Sequence, residues 1–268
     1  MTGFSEDLAL ISGAAKAAGD LAMRYFRQDP KVWWKEGNSP VSEADYAVDA
    51  LLKQTLLDAR PDYGWLSEEM VSADMRDVGS ARFFVVDPID GTRAFLRGED
   101  TWCVSVAVVE NGRPVAGVIA ATALGEHFEV TADTPTRMNG AVCAVSSPGP
   151  EDALRLAVPD SMRKRLHEAA GSTVLLEKAV PSLAYRLALV ASGRIDGTLV
   201  RPRANDWDIA AADLLIERAG GLLSDRHGDA SLYRSHGKRH GLLIASSLSA
   251  RDRVRRLAGV IPDRTEET

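Results

Sequence analysis

The apolar run Phe83-Phe84-Val85-Val86 stops at Asp87-Pro88-Ile89-Asp90-Gly91-Thr92, which puts two carboxylates three positions apart at the end of one strand-like segment. Such a pair repels unless a cation lies between its members, and backbone amides at a helix start by Gly91 and Thr92 suit an anion beside that cation. Metal and phosphate together are the chemistry this spacing serves. Asp-Pro and Asp-Gly are also common turn formers, so the hexapeptide alone does not separate a turn from a site.

Three further acidic positions could complete a carboxylate-held metal site. Glu68-Glu69 follow Trp65-Leu66-Ser67 at a second strand-like end. Asp208 closes Ala204-Asn205-Asp206-Trp207-Asp208 just ahead of the helical run Ile209 to Ala219, and Asp45 falls in the first turn of a helix that Ser42 can cap. Each has a simpler role available. Acids at a helix start are favoured by the helix dipole, and a Glu-Glu pair can be plain solvated surface.

Hydrophobic spacing predicts helices over 5–27 and 42–58 and strands over 64–67, 82–87, 102–110 and 115–121, the last two joined by the hairpin signal Asn111-Gly112. After Pro148-Gly149-Pro150 the pattern reads strand, helix (160–170), strand, helix (182–192), strand (196–200), helix (208–219), strand and helix (248–258). The chain thus divides into an N-terminal half, 1–147, with most of the candidate ligands, and a C-terminal half, 148–268, with Asp208 and the substrate-facing loops. Helix pairs between sheets make an α+β layered fold.

At 268 residues, 45% hydrophobic and 26% charged, the chain can bury a substantial core as one large or two small domains. No run of about 18 uncharged apolar residues occurs, so no membrane helix is expected. Ile11, Ala14, Ala18, Leu21 and Tyr25 repeat at helical spacing, which reads as an amphipathic helix and not a signal peptide. Cys103 and Cys143 lie in apolar settings without CxxC spacing or nearby histidines, and buried free thiols in a cytoplasmic enzyme are expected. A formal net charge of −6 argues against nucleic acid as the main partner. The basic stretches Arg251 to Arg256 and His236 to His240 read as a solvated helix face and loop.

Taken in order, Ser67-Glu68-Glu69, Asp87 to Thr92, and Trp207-Asp208 with Ala210-Ala211-Ala212-Asp213 and Ala219-Gly220-Gly221 resemble the inositol monophosphatase family. Its members carry Glu-Glu, Asp-Pro-Ile/Leu-Asp-Gly-Thr and Trp-Asp in that order, and the resemblance spans Leu8 to Ala245. It implies the five-layered αβαβα sandwich of sugar phosphatases, a homodimer, lithium sensitivity, and a phosphomonoesterase using two or three Mg2+ ions. By motif position, Glu68, Asp87 and the Ile89 carbonyl would hold one ion, and Asp87, Asp90 and Asp208 a second. Glu69 would reach a third ion or its water. Asp45 and Thr92 match the pair that deprotonates and orients the attacking water, while Gly91, Thr92 and Asp90 match the phosphate contacts. Trp33 to Ser39 resembles the family's active-site flap, with Lys35 at the usual lysine position. The tandem Trp33-Trp34 is expected to pack against the body or a partner.

On the substrate side, inositol-selective members place a glutamate shortly before Trp-Asp, where this chain has Arg201-Pro202-Arg203-Ala204-Asn205. An arginine pair there favours an extra anionic group. Ser182 in Pro181-Ser182-Leu183-Ala184 stands where relatives often have a substrate-facing Gly-Ser-Ala, and Arg186 falls where nucleotide-cleaving relatives tend to carry a lysine. In contrast, Thr92 to Gly98 and Ala123-Leu124-Gly125 look like the histidinol-phosphate phosphatase branch. The resemblance therefore implies hydrolysis of a small soluble phosphate monoester such as inositol-1-phosphate. 3'(2'),5'-Bisphosphate nucleotides and histidinol phosphate are the alternatives, and a regulatory or RNA-associated protein on the same fold is the non-enzymatic one.

Overall fold

Apolar residues at helical spacing build the first layer. In the computed structural model, which describes residues 3–35, 39–70 and 81–262, Ile11, Ala15, Ala18 and Ala22 form the buried stripe of α1 (Gly3–Tyr25). The antiparallel pair β1 (Val32–Lys35) and β2 (Ser39–Ser42) leads into α2 (Glu43–Ala59). There the Asp45 carboxylate accepts from the Ser42 N–H at 2.8 Å and the Ser42 hydroxyl at 2.6 Å, closing the first turn. Residues 36–38 of the flap and the polar tail Arg264 to Thr268, expected to be disordered, lie outside the described residues.

The large sheet follows in chain order: β3 (Gly64–Ser67), β4 (Arg82–Asp90), β5 (Cys103–Glu110), β6 (Arg113–Ala121), β7 (Glu126–Thr131), β8 (Arg137–Met138) and β9 (Ala141–Val142). The short helix α3 (Thr92–Leu96) leaves the end of β4. Only β3 and β4 run parallel. Asn111 (φ 51°) and Gly112 (φ 80°) make the β5–β6 hairpin with the two positive φ angles that a tight two-residue turn requires. The strands read as unbroken apolar runs because both faces are covered. Phe84, Val86, Val104, Val106 and Val108 pack on α1 and α2, while Phe83, Val85, Cys103, Ala107 and Val109 face the opposite way.

The second half contributes β10 (Leu154–Leu156), α4 (Asp160–Ala170), β11 (Val174–Leu176), α5 (Leu183–Ala191), β12 (Gly197–Val200), α6 (Asp206–Arg218), β13 (Gly221–Asp225), β14 (Leu243–Ser247) and α7 (Arg251–Ala258). Its five strands are ordered β11-β10-β12-β14-β13. Helices α5 and α6 lie between the two sheets, and α4 and α7 cover the far face of the smaller one. The layers are αβαβα. α6 approaches β6 closely at Gly117, where a Cβ would stand 3.1 Å from the Ala211 carbonyl oxygen. The central apolar cluster runs from Leu66 to Ala245, so the halves on either side of Pro148-Gly149-Pro150 share one core. No helix among the described residues is long and apolar enough to cross a membrane.

Two local expectations differ. Cys103 is buried, but Cys143 is only half-buried, because it follows the short edge strand β9 and not an internal one. Trp33 and Trp34 do not bury themselves against the body. They are 45% and 62% exposed on the two-stranded β1–β2 pair, with Trp33 edge-on to Tyr46 at 5.8 Å.

Asp7 ties the first layer to the sheet. Its buried carboxylate accepts from Arg60 at 3.1 Å, Tyr63 at 2.9 Å and Arg82 at 3.0 Å. Removing one member of such a network leaves the other charges poorly paired, so Asp7→Ala should cost about 3 kcal/mol. A urea melt should show this as a lower midpoint with an unchanged slope. A loss below about 0.5 kcal/mol, the scale of surface substitutions, would mean that the arginines are satisfied by water.

Candidate active site

The site begins at a fault in a ladder. β4 pairs regularly with β5 as far as Asp87↔Ser105, then shifts register before Asp90↔Cys103. Pro88, which has no N–H to donate, sits inside that irregularity. A bulge re-aims side chains, and here Asp87 and Asp90 turn toward the same space as Asp208 of α6. Oxygens of these three carboxylates lie within 4.8 Å of one another. Asp208 is held by its own helix start, accepting the Asn205 N–H at 2.7 Å.

Glu68 lies one step out from this trio. Its N–H donates to the Val86 carbonyl at 3.2 Å, which fixes it beside β4, and its carboxyl group faces that of Asp87. Glu69 is turned to Lys35 of β1, whose ammonium also lies 3.5 Å from Glu68. Burial alone would lower the Lys35 ammonium, but the two glutamates outweigh it and hold its pKa above the ordinary value. Its charge is spent on the acidic rim.

Burial pushes the Asp87 carboxyl well above the usual carboxylate range, and Glu68, Asp90 and Asp208 push it further. Burial likewise raises Asp208, Asp90 and Glu68. Glu69 is pushed up to about 7 by burial, with Lys35 pulling the other way. These acids cannot all carry charge side by side without a cation among them. Asp87 adds a second sign: its Oδ1 is buried with no hydrogen-bond partner. An oxygen-only set of carboxylates with an unused lone pair fits a hard divalent ion.

Beside the acids stands a hydroxyl. Thr92 Oγ1 is 3.1 Å from Asp45 Oδ1 and 3.1 Å from the Ile89 carbonyl oxygen, so its single proton serves one acceptor at a time. Asp45 is pushed up to about 6 by burial, against the pull of the Ser42 and Thr92 bonds. Gly91 opens the turn at φ 97°, where a Cβ would meet Ser182 Cβ at 3.1 Å and the Thr101 carbonyl oxygen at 3.2 Å. Only glycine fits both conditions.

Ser182 differs from its expected place on the substrate side. It is wholly buried, its hydroxyl donates to Asp90, and the Ala184 N–H reaches the same carboxylate oxygen at 2.6 Å. The start of α5 thus grips Asp90 from behind. Ser182 also caps α5, its hydroxyl accepting the Tyr185 N–H at 3.2 Å, but no local pattern ties that cap to Asp90. Asp206 is likewise fixed by residues distant in sequence. It is fully buried, bonds His240 Nε2 at 2.6 Å and takes the Lys238 N–H at 3.0 Å, so His240 is a core residue and not part of a solvated basic loop.

A cavity of about 810 Å³ opens beside Asp208. Arg186 of α5 and Arg201 of the loop after β12 both line it. Arg186 is 6% exposed and donates to the Val180 carbonyl at 3.0 Å, whereas Arg201 is exposed.

Residues 5–259 match the sequence model described as the inositol monophosphatase family. A histidinol-phosphatase of Chlorobaculum parvum is 32% identical over 238 residues, covering 86% of this chain and 90% of the relative. An inositol-1-monophosphatase of Mesorhizobium japonicum is 32% identical over 235 residues, covering 82% and 85%. Among solved structures, the extragenic suppressor protein suhB of Bartonella henselae superposes with a TM-score of 0.84 at 28% identity, covering 94% of this chain and 98% of its own.

Proposed function

The chain belongs to the inositol monophosphatase family and is a phosphatase, and from that premise we propose that it hydrolyses a small phosphate monoester with Mg2+ held at Glu68, Asp87, Asp90, Asp208 and the Ile89 carbonyl. Inositol-1-phosphate is the reference substrate of this reading. The observation that carries it is the convergence of three carboxylates within 4.8 Å around a buried, unpartnered Asp87 oxygen.

Two or three bound Mg2+ ions would neutralise the phosphoryl oxygens and make a water acidic enough to attack. The chain's own groups then do the rest. Asp45 holds the Thr92 hydroxyl, the hydroxyl orients the water, and the carboxylate receives the proton. Amides at Gly91 and Thr92 hold the phosphate in line for attack, and Asp90 is kept rigid by Ser182 and Ala184. Lys35 restrains Glu69, which would support the outermost ion or its water.

Phosphate release should be assayed with inositol-1-phosphate, 3'-phosphoadenosine 5'-phosphate, histidinol phosphate and fructose 1,6-bisphosphate. At least one should be hydrolysed with Mg2+ and none with excess EDTA. Turnover indifferent to EDTA would remove the metal from the mechanism, and no turnover on any ester would end the reading.

A further inference from the structure

The cavity beside Asp208 is lined by five arginines, Arg93, Arg97, Arg186, Arg201 and Arg203, against the two acids Asp160 and Asp208. Arg97 is engaged by Glu99 at 2.7 Å, and Arg93 also has a partner. The other three are differently placed. Arg186 is nine-tenths buried, yet its Nε has no hydrogen-bond partner and its recorded side-chain bond goes to a neutral carbonyl. A guanidinium is the side chain whose donors match the paired oxygens of a phosphate or carboxylate. Arg201 and Arg203 make no ion pair among the described residues. Arg203 is held by its backbone, donating its N–H to the His240 carbonyl at 2.7 Å, and takes the uncommon φ of 81°. Asp90 faces Arg186 but is already gripped by Ser182 and Ala184, and Arg201 opposes it, so a guanidinium buried this deeply among further cations favours an additional anion.

We propose that this cavity holds a second anionic group on the substrate's alcohol, a phosphate or a carboxylate, gripped by Arg186 from the floor and by Arg201 and Arg203 from the rim. The proposal rests on the phosphatase reading and narrows it. The ester bond being broken lies at the acidic end, by Asp208, and the second anion lies at the arginine end. A neutral polyol phosphate leaves the arginines unanswered. An ester bearing an amine brings a like charge into the same space and is bound worst.

Steady-state kinetics on the Mg2+-loaded enzyme test this. The esters are two bisphosphates (fructose 1,6-bisphosphate and 3'-phosphoadenosine 5'-phosphate), one phosphorylated carboxylate (3-phosphoglycerate), one ester of a neutral alcohol (inositol-1-phosphate) and one of a cationic alcohol (histidinol phosphate). At least one doubly anionic ester should exceed inositol-1-phosphate in kcat/KM by about tenfold or more, the scale of one charge-assisted contact. Histidinol phosphate should be slowest, and the bisphosphate and carboxylate arms tell which anion is taken. Arg186→Gln should shrink the preference by about tenfold or more, mainly through KM. Because Arg186 also faces Asp90, the exposed double variant Arg201→Gln/Arg203→Gln provides a second reading, with the same direction and an unchanged melting temperature. Preference for the neutral or cationic ester, or an intact preference in both variants, overturns the second-anion proposal and leaves the phosphatase standing. No hydrolysis of any ester overturns both.

Discussion

Asp87→Asn is expected to lose phosphatase activity by at least about a thousandfold, equivalent to ~4 kcal/mol of transition-state stabilisation. Asp87 is the centre of the acidic group: it is 1% exposed, faces Glu68, and lies close to Asp90 and Asp208. An amide of the same shape brings no charge to a cation and turns N–H donors toward the ligand position. The loss should not come from unfolding. The carboxyls of the cluster are raised by burial and by one another, so without a cation they destabilise the fold as pH rises above the ordinary carboxylate range and cease to do so when protonated. Removing one charge relieves that repulsion, so the metal-free variant should melt at or above the temperature of the metal-free parent. Added Mg2+ should raise the melting temperature of the parent but not that of the variant. Activity within tenfold of the parent would sink the assignment of Asp87.

The second large effect is at the water. Thr92→Ala and Asp45→Asn should each lower kcat by about a hundred- to a thousandfold with KM little changed, as befits a group that acts on the proton in flight. Their effects should overlap, since the hydroxyl and the carboxylate act as one unit at 3.1 Å. Asparagine can still accept the Ser42 N–H, so the cap on α2 survives in that variant. Asp45 works only when unprotonated; burial pushes its pKa up to about 6 in the metal-free protein, and a cation beside it moves the inflection to that value or below. The parent's kcat/KM should therefore fall about tenfold for each pH unit below that inflection, and the residual activity of Asp45→Asn should not follow that slope. A double variant as slow as the product of the two single losses would show that the groups act separately.

Much of the layering was legible because it rests on short-range rules. Unbroken apolar runs mark β4 to β6, Asn111-Gly112 marks the β5–β6 hairpin, and a 3.6-residue stripe marks α1. The acids stood out for the same reason, at strand ends and in first helical turns. The errors arose where neighbours in space are far apart in sequence. Cys143 read as core, but it trails an edge strand. Ser182 read as a substrate contact, yet it is packed against Asp90 by the docking of α5.

Composition, periodicity and motif order were thus enough to determine an α+β layered chain carrying carboxylates suited to a metal and a phosphate, because such signals act within one strand or one helical turn. Only the tertiary structure decided which groups meet. The register shift in β4, the close approach of α6 at Gly117 and the seating of α5 behind Asp90 bring Glu68, Asp87, Asp90 and Asp208 together and set Arg186 in the adjoining cavity wall. That convergence depends on long-range packing of the two sheets about one shared helical layer, which no local pattern encodes.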